Sequence, residues 1–233
     1  MNVSGDVTIE AADGGSFAAY CAWPKQTPAP GIVVLTPIFG VDADMRGFVD
    51  RYAQRGYIAI APDLFWRDEP GVLRRTEEER PVALARARRI DVELCARDMR
   101  STIDALRSMP QCSGKVGAIG FCFGGRYAYI AAARRDVAVA GAFHGTEIGR
   151  SLAAEPPAGV PVSLHFGDAD PLTPEEEVAA IAAALRANPR AEICVYPGAA
   201  HNFAIPGNPA YDGAAAQLAE ARVFAIFDEL RQR

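Results

Sequence analysis

Short apolar runs alternate with amphipathic stretches along most of the chain, and this alternation constrains the fold more than any other feature. The apolar runs occupy residues 32–36, 57–61, 115–121, 137–143, 160–166 and 192–197. The helical stretches between and after them are roughly 44–55, 91–108, 124–134, 174–187 and 212–231. Such runs are typical of strands covered on both faces. The alternation predicts an α/β protein with a mostly parallel central sheet and helices on both faces, whose functional loops follow the carboxyl ends of the strands.

Three segments add detail to this pattern. Residues 6–10 and 16–23 alternate weakly around the turn-rich "AADGG" and predict an antiparallel N-terminal strand pair. Residues 63–90 are too long and too charged for a simple connection, so we expect an excursion that contains a short helix. Before the fourth helical stretch, Thr173 is predicted to cap the helix and Pro174 to be its first residue. The whole chain, residues 1–233, is predicted from its length to form one domain.

Charge and hydropathy exclude several classes of partner. The formal net charge is −5, and basic residues form no cluster larger than a short helical face, so no nucleic acid partner is predicted. The start "MNVSGDVTIEAADGG" lacks the features of a secretory signal, and no apolar stretch is long enough to span a bilayer. We therefore expect a cytoplasmic protein, monomer or homodimer, without a membrane partner, that acts on a small molecule.

The five cysteines are scattered along the chain and show no C-x-x-C spacing. This arrangement suggests neither a disulfide framework nor a zinc site, so reduced thiols are expected. We predict no metal and no cofactor.

One cysteine stands in a pattern that carries chemistry. Gly120, Cys122 and Gly124 form G-x-C-x-G after a predicted strand and before a predicted helix, which is the setting of a nucleophile elbow. The glycines allow close approach of backbone segments around a strained central residue. A thiol there lies at a helix N-terminus, which favours the thiolate. The alternative is that Cys122 is only a small buried side chain.

The later loops supply partners in the order expected of α/β hydrolases, which is nucleophile, acid and then base. Asp168 and Asp170 follow the run 160–166, and His201 follows the run 192–197. Asp170 is preferred as the acid because Asp168 is placed to shape the turn with its neighbouring glycine. The other two histidines, His144 and His165, are interpreted as structural, since one follows a strand and the other lies inside one.

Each of these groups has a role in acyl transfer. His201 would accept the thiol proton and later serve the hydrolytic water, while Asp170 would fix the imidazole tautomer. The backbone N–H groups of Phe123 and Ile38 are predicted to hold the oxyanion, at roughly 3 kcal/mol per donor. Pro37 has no N–H group and is excluded from that role.

Several motifs resemble the dienelactone hydrolase (carboxymethylenebutenolidase) family, whose members have the α/β-hydrolase fold. The likeness covers nearly the whole chain, in "IFGVDADMR" (38–46), "GYIAIAPDLFWR" (56–67), "GKVGAIGFCFGGR" (114–126), "HFGDADPLTP" (165–174) and "YPGAAHNFA" (196–204). The resemblance implies hydrolysis of an enol-lactone through a cysteinyl acyl-enzyme. It also implies that Cys122, Asp170 and His201 are the catalytic triad.

The sequence departs from the family pattern at two positions. Pro37 stands where the family usually has a glutamate before "IFG", and Ile205 stands where its dienelactone enzymes carry a substrate-binding arginine. Arg80 roughly matches the family's other carboxylate-binding arginine, although a solvated helical face explains it as well. The resemblance therefore implies a substrate less anionic than a dienelactone.

Three aromatic residues, Phe39, Trp66 and Phe203, are predicted to line an apolar acyl pocket, although core packing is the alternative for each.

Two further functions remain open beside the hydrolase. The missing glutamate and arginine favour a hydrolase-fold ligand-binding or regulatory protein, and the reactive thiol would suit a redox sensor, for which no resolving cysteine is evident.

Overall fold

The computed structural model describes residues 3–152 and 159–232. The chain is divided into two compact units, Met1–Val116 and Gly117–Arg233. Each unit has strands and helices of its own. The single domain expected from the chain length stays a prediction.

The strands of the first unit pair in the order β1-β2-β4-β3. Their bounds are Val3–Glu10 (β1), Ser16–Trp23 (β2), Ala29–Leu35 (β3) and Ile58–Pro62 (β4). Strands β1 and β2 are antiparallel, β2 and β4 are antiparallel, and β3 and β4 are parallel. Every residue of β3 and β4 is buried, as apolar runs predict for strands covered on both faces. The antiparallel N-terminal pair is confirmed.

The helices of the first unit begin at local signals in the sequence. They are Ala43–Gln54 (α1), Arg80–Arg89 (α2) and Val92–Ser108 (α3). The carboxylates of Asp42 and Asp91 accept hydrogen bonds from the first-turn N–H groups of α1 and α3, which stabilises both helix starts. Helix α2 lies within residues 63–90, so the expected excursion with a short helix is confirmed.

The strands of the second unit are parallel and pair in the order β5-β6-β7-β8. They are Cys112–Phe121 (β5), which begins in the first unit, then Ala140–Phe143 (β6), Val162–Gly167 (β7) and Ala191–Tyr196 (β8). Strands β6 and β7 are buried throughout. Strand β8 differs, because β7 is its only partner among the described residues and most of its side chains are partly exposed. The expectation that this run is covered on both faces was wrong.

The helices of the second unit are Phe123–Ala133 (α4), Glu175–Leu185 (α5) and Gly213–Phe227 (α6). The prediction that Thr173 caps α5 was wrong: Pro174 is the N-cap residue and makes no side-chain capping bond. The Thr173 hydroxyl instead donates to the carbonyl oxygen of Gly145, at 3.3 Å. The α/β class and the mostly parallel strands are confirmed. Within the two described stretches, no helix combines the length and the apolar character that crossing a membrane requires.

Candidate active site

The turn between β5 and α4 has the strained geometry of a nucleophile elbow. Cys122, its only residue, has φ 51° and ψ −118°, a conformation that L-residues rarely adopt. The flanking glycines follow from the sharpness of the turn. A Cβ atom on Gly120 would lie 2.2 Å from the carbonyl oxygen of Gly124, so a side chain at position 120 is excluded.

The elbow is fixed on its other side by the end of β6 and the segment that follows it. The Cys122 N–H donates to the Phe143 carbonyl at 3.1 Å, and the Thr146 N–H donates to the Cys122 carbonyl, also at 3.1 Å. A Cβ atom on Gly125 would lie 2.5 Å from the α-carbon of Gly145, so α4 approaches this segment through backbone atoms. The position of the thiol is therefore set by backbone packing on both sides.

Three side chains from three loops meet at this point. His201 Nε2 lies 3.1 Å from Cys122 Sγ, and His201 Nδ1 lies 2.7 Å from Asp170 Oδ2. The other carboxylate oxygen of Asp170 accepts a bond from the Leu172 N–H at 2.8 Å. Cys122 is 8% exposed and the side chain of His201 13%, whereas that of Asp170 is fully buried. The imidazole thus has some solvent access, and the carboxylate has none.

The loops that carry the carboxylate and the imidazole are joined by their own hydrogen bonds. The Ala169 N–H donates to the Ala199 carbonyl at 3.1 Å, and the Gly198 N–H donates to Asp168 Oδ1 at 2.6 Å. The carboxylate of Asp168 therefore joins the two loops, and the carboxylate that contacts His201 is that of Asp170.

The protonation of His201 is set by its two partners. Burial disfavours the imidazolium, but the negative charge of Cys122 and the hydrogen bond and charge of Asp170 outweigh it and raise the pKa of His201 to about 10. Because an ionised carboxylate only accepts hydrogen bonds, Nδ1 carries a proton, and Nε2 faces the sulfur. This arrangement can move a proton between sulfur and imidazole.

Comparisons with known proteins show the family of the chain. The model of the dienelactone hydrolase family matches residues 17–231. The chain belongs to the dienelactone hydrolase family. It is 34% identical over 218 residues to a carboxymethylenebutenolidase of Pseudomonas putida, covering 93% of this chain and 92% of that protein. A crystal structure of a candidate dienelactone hydrolase from Klebsiella pneumoniae aligns with a TM-score of 0.85 at 28% identity, over 100% of both chains.

Four of the residues that the sequence predicted for the site of this member of the dienelactone hydrolase family lie in the first unit. Ile38 and Phe39 follow β3 and are partly exposed, and Trp66 is also partly exposed. The Trp66 indole donates to Asp98 at 2.7 Å, and Arg80 is exposed as the first residue of α2. Their approach to substrate stays a prediction.

The remaining predicted residues lie in the second unit beside the three side chains. Phe123 is the first residue of α4, where N–H groups have no acceptor within the helix. Phe203 is fully buried, with its ring against those of His144 and Tyr196. Ile205 is also fully buried, so the place of the family arginine is a core position here.

Sequence reasoning did not find Arg86, which organises the loop of Ile38. Its guanidinium is almost fully buried and donates to the carbonyl oxygens of Ile38, Glu69 and Gly71, the shortest bonds measuring 2.8, 3.0 and 2.9 Å. Burial lowers the pKa of Arg86, and the charges of nearby carboxylates oppose that effect. In the run "LARARRI" one arginine looks like another, so the sequence carries no signal for this role.

Proposed function

We propose that this protein hydrolyses enol-lactones or small carboxylic esters through a cysteinyl acyl-enzyme, with Cys122 as nucleophile, His201 as base and Asp170 as the residue that orients the base. The observation that carries the proposal is the continuous contact from sulfur through imidazole to carboxylate, at 3.1 and 2.7 Å. Membership in the dienelactone hydrolase family supports the same chemistry.

In the acylation half of the reaction, His201 takes the proton of Cys122 at Nε2, and the sulfur attacks the acyl carbon. The carbonyl π electrons move to oxygen and form a tetrahedral oxyanion. When the oxyanion collapses, the bond from carbon to the leaving oxygen breaks, and that oxygen takes the proton from His201. In a lactone the leaving oxygen stays attached to the acyl group, so the ring opens without loss of a fragment.

In the deacylation half, His201 removes a proton from water, and the hydroxide attacks the thioester carbon. The carbon–sulfur bond breaks, the carboxylic acid is released and the sulfur regains its proton from imidazole. Asp170 stabilises the imidazolium in both halves without itself taking a proton. The raised pKa of His201 supports this cycle, because the imidazole holds the proton while the thiolate reacts.

The oxyanion is proposed to be held by the N–H groups of Phe123 and Ile38, each contributing about 3 kcal/mol to the stability of the transition state. The first is supported by its place at the start of α4. The second is supported by the bonds of Arg86 to the Ile38 carbonyl, which hold the peptide unit that follows the one carrying this N–H group.

We further propose that Phe39, Trp66 and Phe203 form the apolar side of the substrate site, with Arg80 as its cation. The buried Ile205 supports a substrate with less negative charge than a dienelactone. The enzyme is proposed to act in the cytoplasm as a single-domain monomer or homodimer.

The test is a paired assay of wild type and Cys122→Ala on cis- and trans-dienelactone and on aryl acetates. We expect Cys122→Ala to lower kcat by at least about a thousandfold on every accepted substrate. The matched control is Cys194→Ala, which removes a partly exposed thiol from the same unit and should leave kcat unchanged. Unchanged turnover in Cys122→Ala would refute the mechanism. Aryl acetates turned over faster than dienelactones would support a weakly anionic substrate.

A further inference from the structure

One short segment of the second unit contacts all three loops of the proposed triad. This segment, residues 143–146, begins with the last residue of β6 and precedes a 3-10 helix, Ile148–Ser151. Its backbone bonds to Cys122, described above, fix the nucleophile. Its Gly145 carbonyl also accepts the Thr173 hydroxyl, and the Thr173 N–H donates to the Asp170 carbonyl at 3.3 Å, which ties the acid loop to the same segment.

The contact with the base is made by the side chain of His144. The rings of His144 and His201 meet edge to face, with centroids 5.0 Å apart and an angle of 72° between their planes. His144 is fully buried, and its ring also meets that of Phe203 at a steep angle, 78°, with centroids 5.7 Å apart. The imidazole of His201 therefore packs against a ring that is itself held in place.

The backbone of His144 is fixed as firmly as its ring. Its N–H donates to the His165 carbonyl at 2.7 Å, and its φ of 41° lies in the left-handed region. Non-glycine residues persist there only where the surrounding structure determines the conformation. The position of the His144 backbone is thus set by its bond to β7, and its ring packs against His201 and Phe203 from that fixed point.

We propose that His144 is a positioning residue, which holds the imidazole of His201 at the angle that aligns Nε2 with the sulfur and Nδ1 with Asp170. This inference rests on the proposed function. The bond to Asp170 fixes the position of one ring nitrogen, but the terminal torsion of a histidine is broad, so a second contact is needed to fix the plane. The edge-to-face contact with His144 supplies it.

The test replaces His144 with asparagine, which tolerates the left-handed backbone but lacks an aromatic ring. We expect kcat of His144→Asn to fall between about 10-fold and 100-fold, the cost of a small misplacement of a reacting group. The value of KM should change by a smaller factor than kcat, because His144 reaches the proposed substrate site only through its contact with Phe203. His144→Phe, which keeps a ring at that place, should restore most of kcat.

A spectroscopic measurement separates positioning from general packing. The proton shared by His201 Nδ1 and Asp170 should give a far-downfield proton resonance in wild type and His144→Phe. It should broaden or disappear in His144→Asn. The matched control is His165→Asn, which removes another fully buried imidazole and should retain both the resonance and kcat, whatever its loss of thermal stability.

The outcomes distinguish this inference from the proposed function. A wild-type resonance and a kcat within about twofold of wild type in His144→Asn, with Cys122→Ala inactive, would overturn only the role of His144. If His144→Asn does not fold, a folded His144→Phe with kcat lowered tenfold or more would overturn it as well. Unchanged turnover in Cys122→Ala would instead overturn the proposed function.

Discussion

A fully buried and a partly buried imidazole of the second unit, those of His165 and His201, have opposite protonation behaviour. The pKa of His201 is raised to about 10, and that of His165 is lowered to about 3. Both rings make hydrogen bonds through both nitrogens. His201 lies between a carboxylate and a sulfur, whereas His165 lies between two hydroxyl groups, those of Ser163 at 2.8 Å and Tyr196 at 2.9 Å.

The difference teaches that the partners decide whether a ring keeps the low pKa that burial favours, because burial lowers the pKa of both rings. Burial disfavours the charged form of both. For His165 the neighbouring positive charge of Arg222 adds to that effect. For His201 the charge interactions and hydrogen bonds with Cys122 and Asp170 reverse it. Burial also raises the pKa of Tyr196, so the phenol beside His165 stays neutral.

The largest effect should come from removing the anionic partner of His201. Asp170→Asn keeps the shape of the side chain, but its amide can donate a hydrogen bond and favours the wrong imidazole tautomer. We expect kcat to fall by about a thousandfold or more. The measurement is steady-state turnover of an aryl ester. Asp136→Asn is the control, since Asp136 is another buried carboxylate of the same unit; a loss below tenfold in Asp170→Asn would contradict the comparison.

A second prediction concerns the pH dependence of stability. Because the folded-state pKa of His165 lies below 6.5, the unfolded chain binds the proton first, so stability falls as the pH drops below that value. This group should contribute up to about 1.4 kcal/mol per pH unit. Urea unfolding of wild type and His165→Phe, at pH values from about 6.5 to about 4, measures the difference in slope. Equal slopes would show that His165 is not held neutral.

The raised pKa of His201 makes stability depend on pH in the opposite direction. The stability that it contributes is fully present below the ordinary value of 6.5 and is lost as the pH rises through about 10. The two histidines therefore lower the stability at opposite ends of the pH range. Of these two groups, only His165 changes the free energy of unfolding below pH 6.5, so the slope there reports on His165.

The smallest effect is expected from Tyr196→Phe, which removes the hydroxyl bonded to His165 Nδ1. Losing this buried partner should lower the free energy of unfolding by about 1–2 kcal/mol. The value of kcat should stay within about twofold of wild type, because no contact of His201 is changed. Denaturant unfolding and an ester assay on the same samples check both parts. An unchanged stability would mean that the bond contributes nothing.

The sequence predicted the elements well where periodicity and length decide the structure. Strands β3 to β7 and the five longer helices lie close to their predicted bounds, since an apolar run or an amphipathic stretch is itself the physical cause of a buried strand or a packed helix. The predictions that were wrong concern details that depend on residues distant in the chain but close in the fold. Thr173 bonds to Gly145 rather than to its own helix, and β8 is half exposed because of its place in the strand order.

The sequence by itself determined the α/β class, the glycines of the elbow and the order of cysteine, aspartate and histidine along the chain. Only the tertiary structure decided which aspartate bonds to His201, that His144 packs against its ring, and that Arg86 supports the peptide of Ile38. The physical reason is the distance along the chain between the residues that interact. Periodicity and turn chemistry act over a few neighbouring residues, whereas these interactions join residues that are 31, 57 and 48 positions apart in the chain.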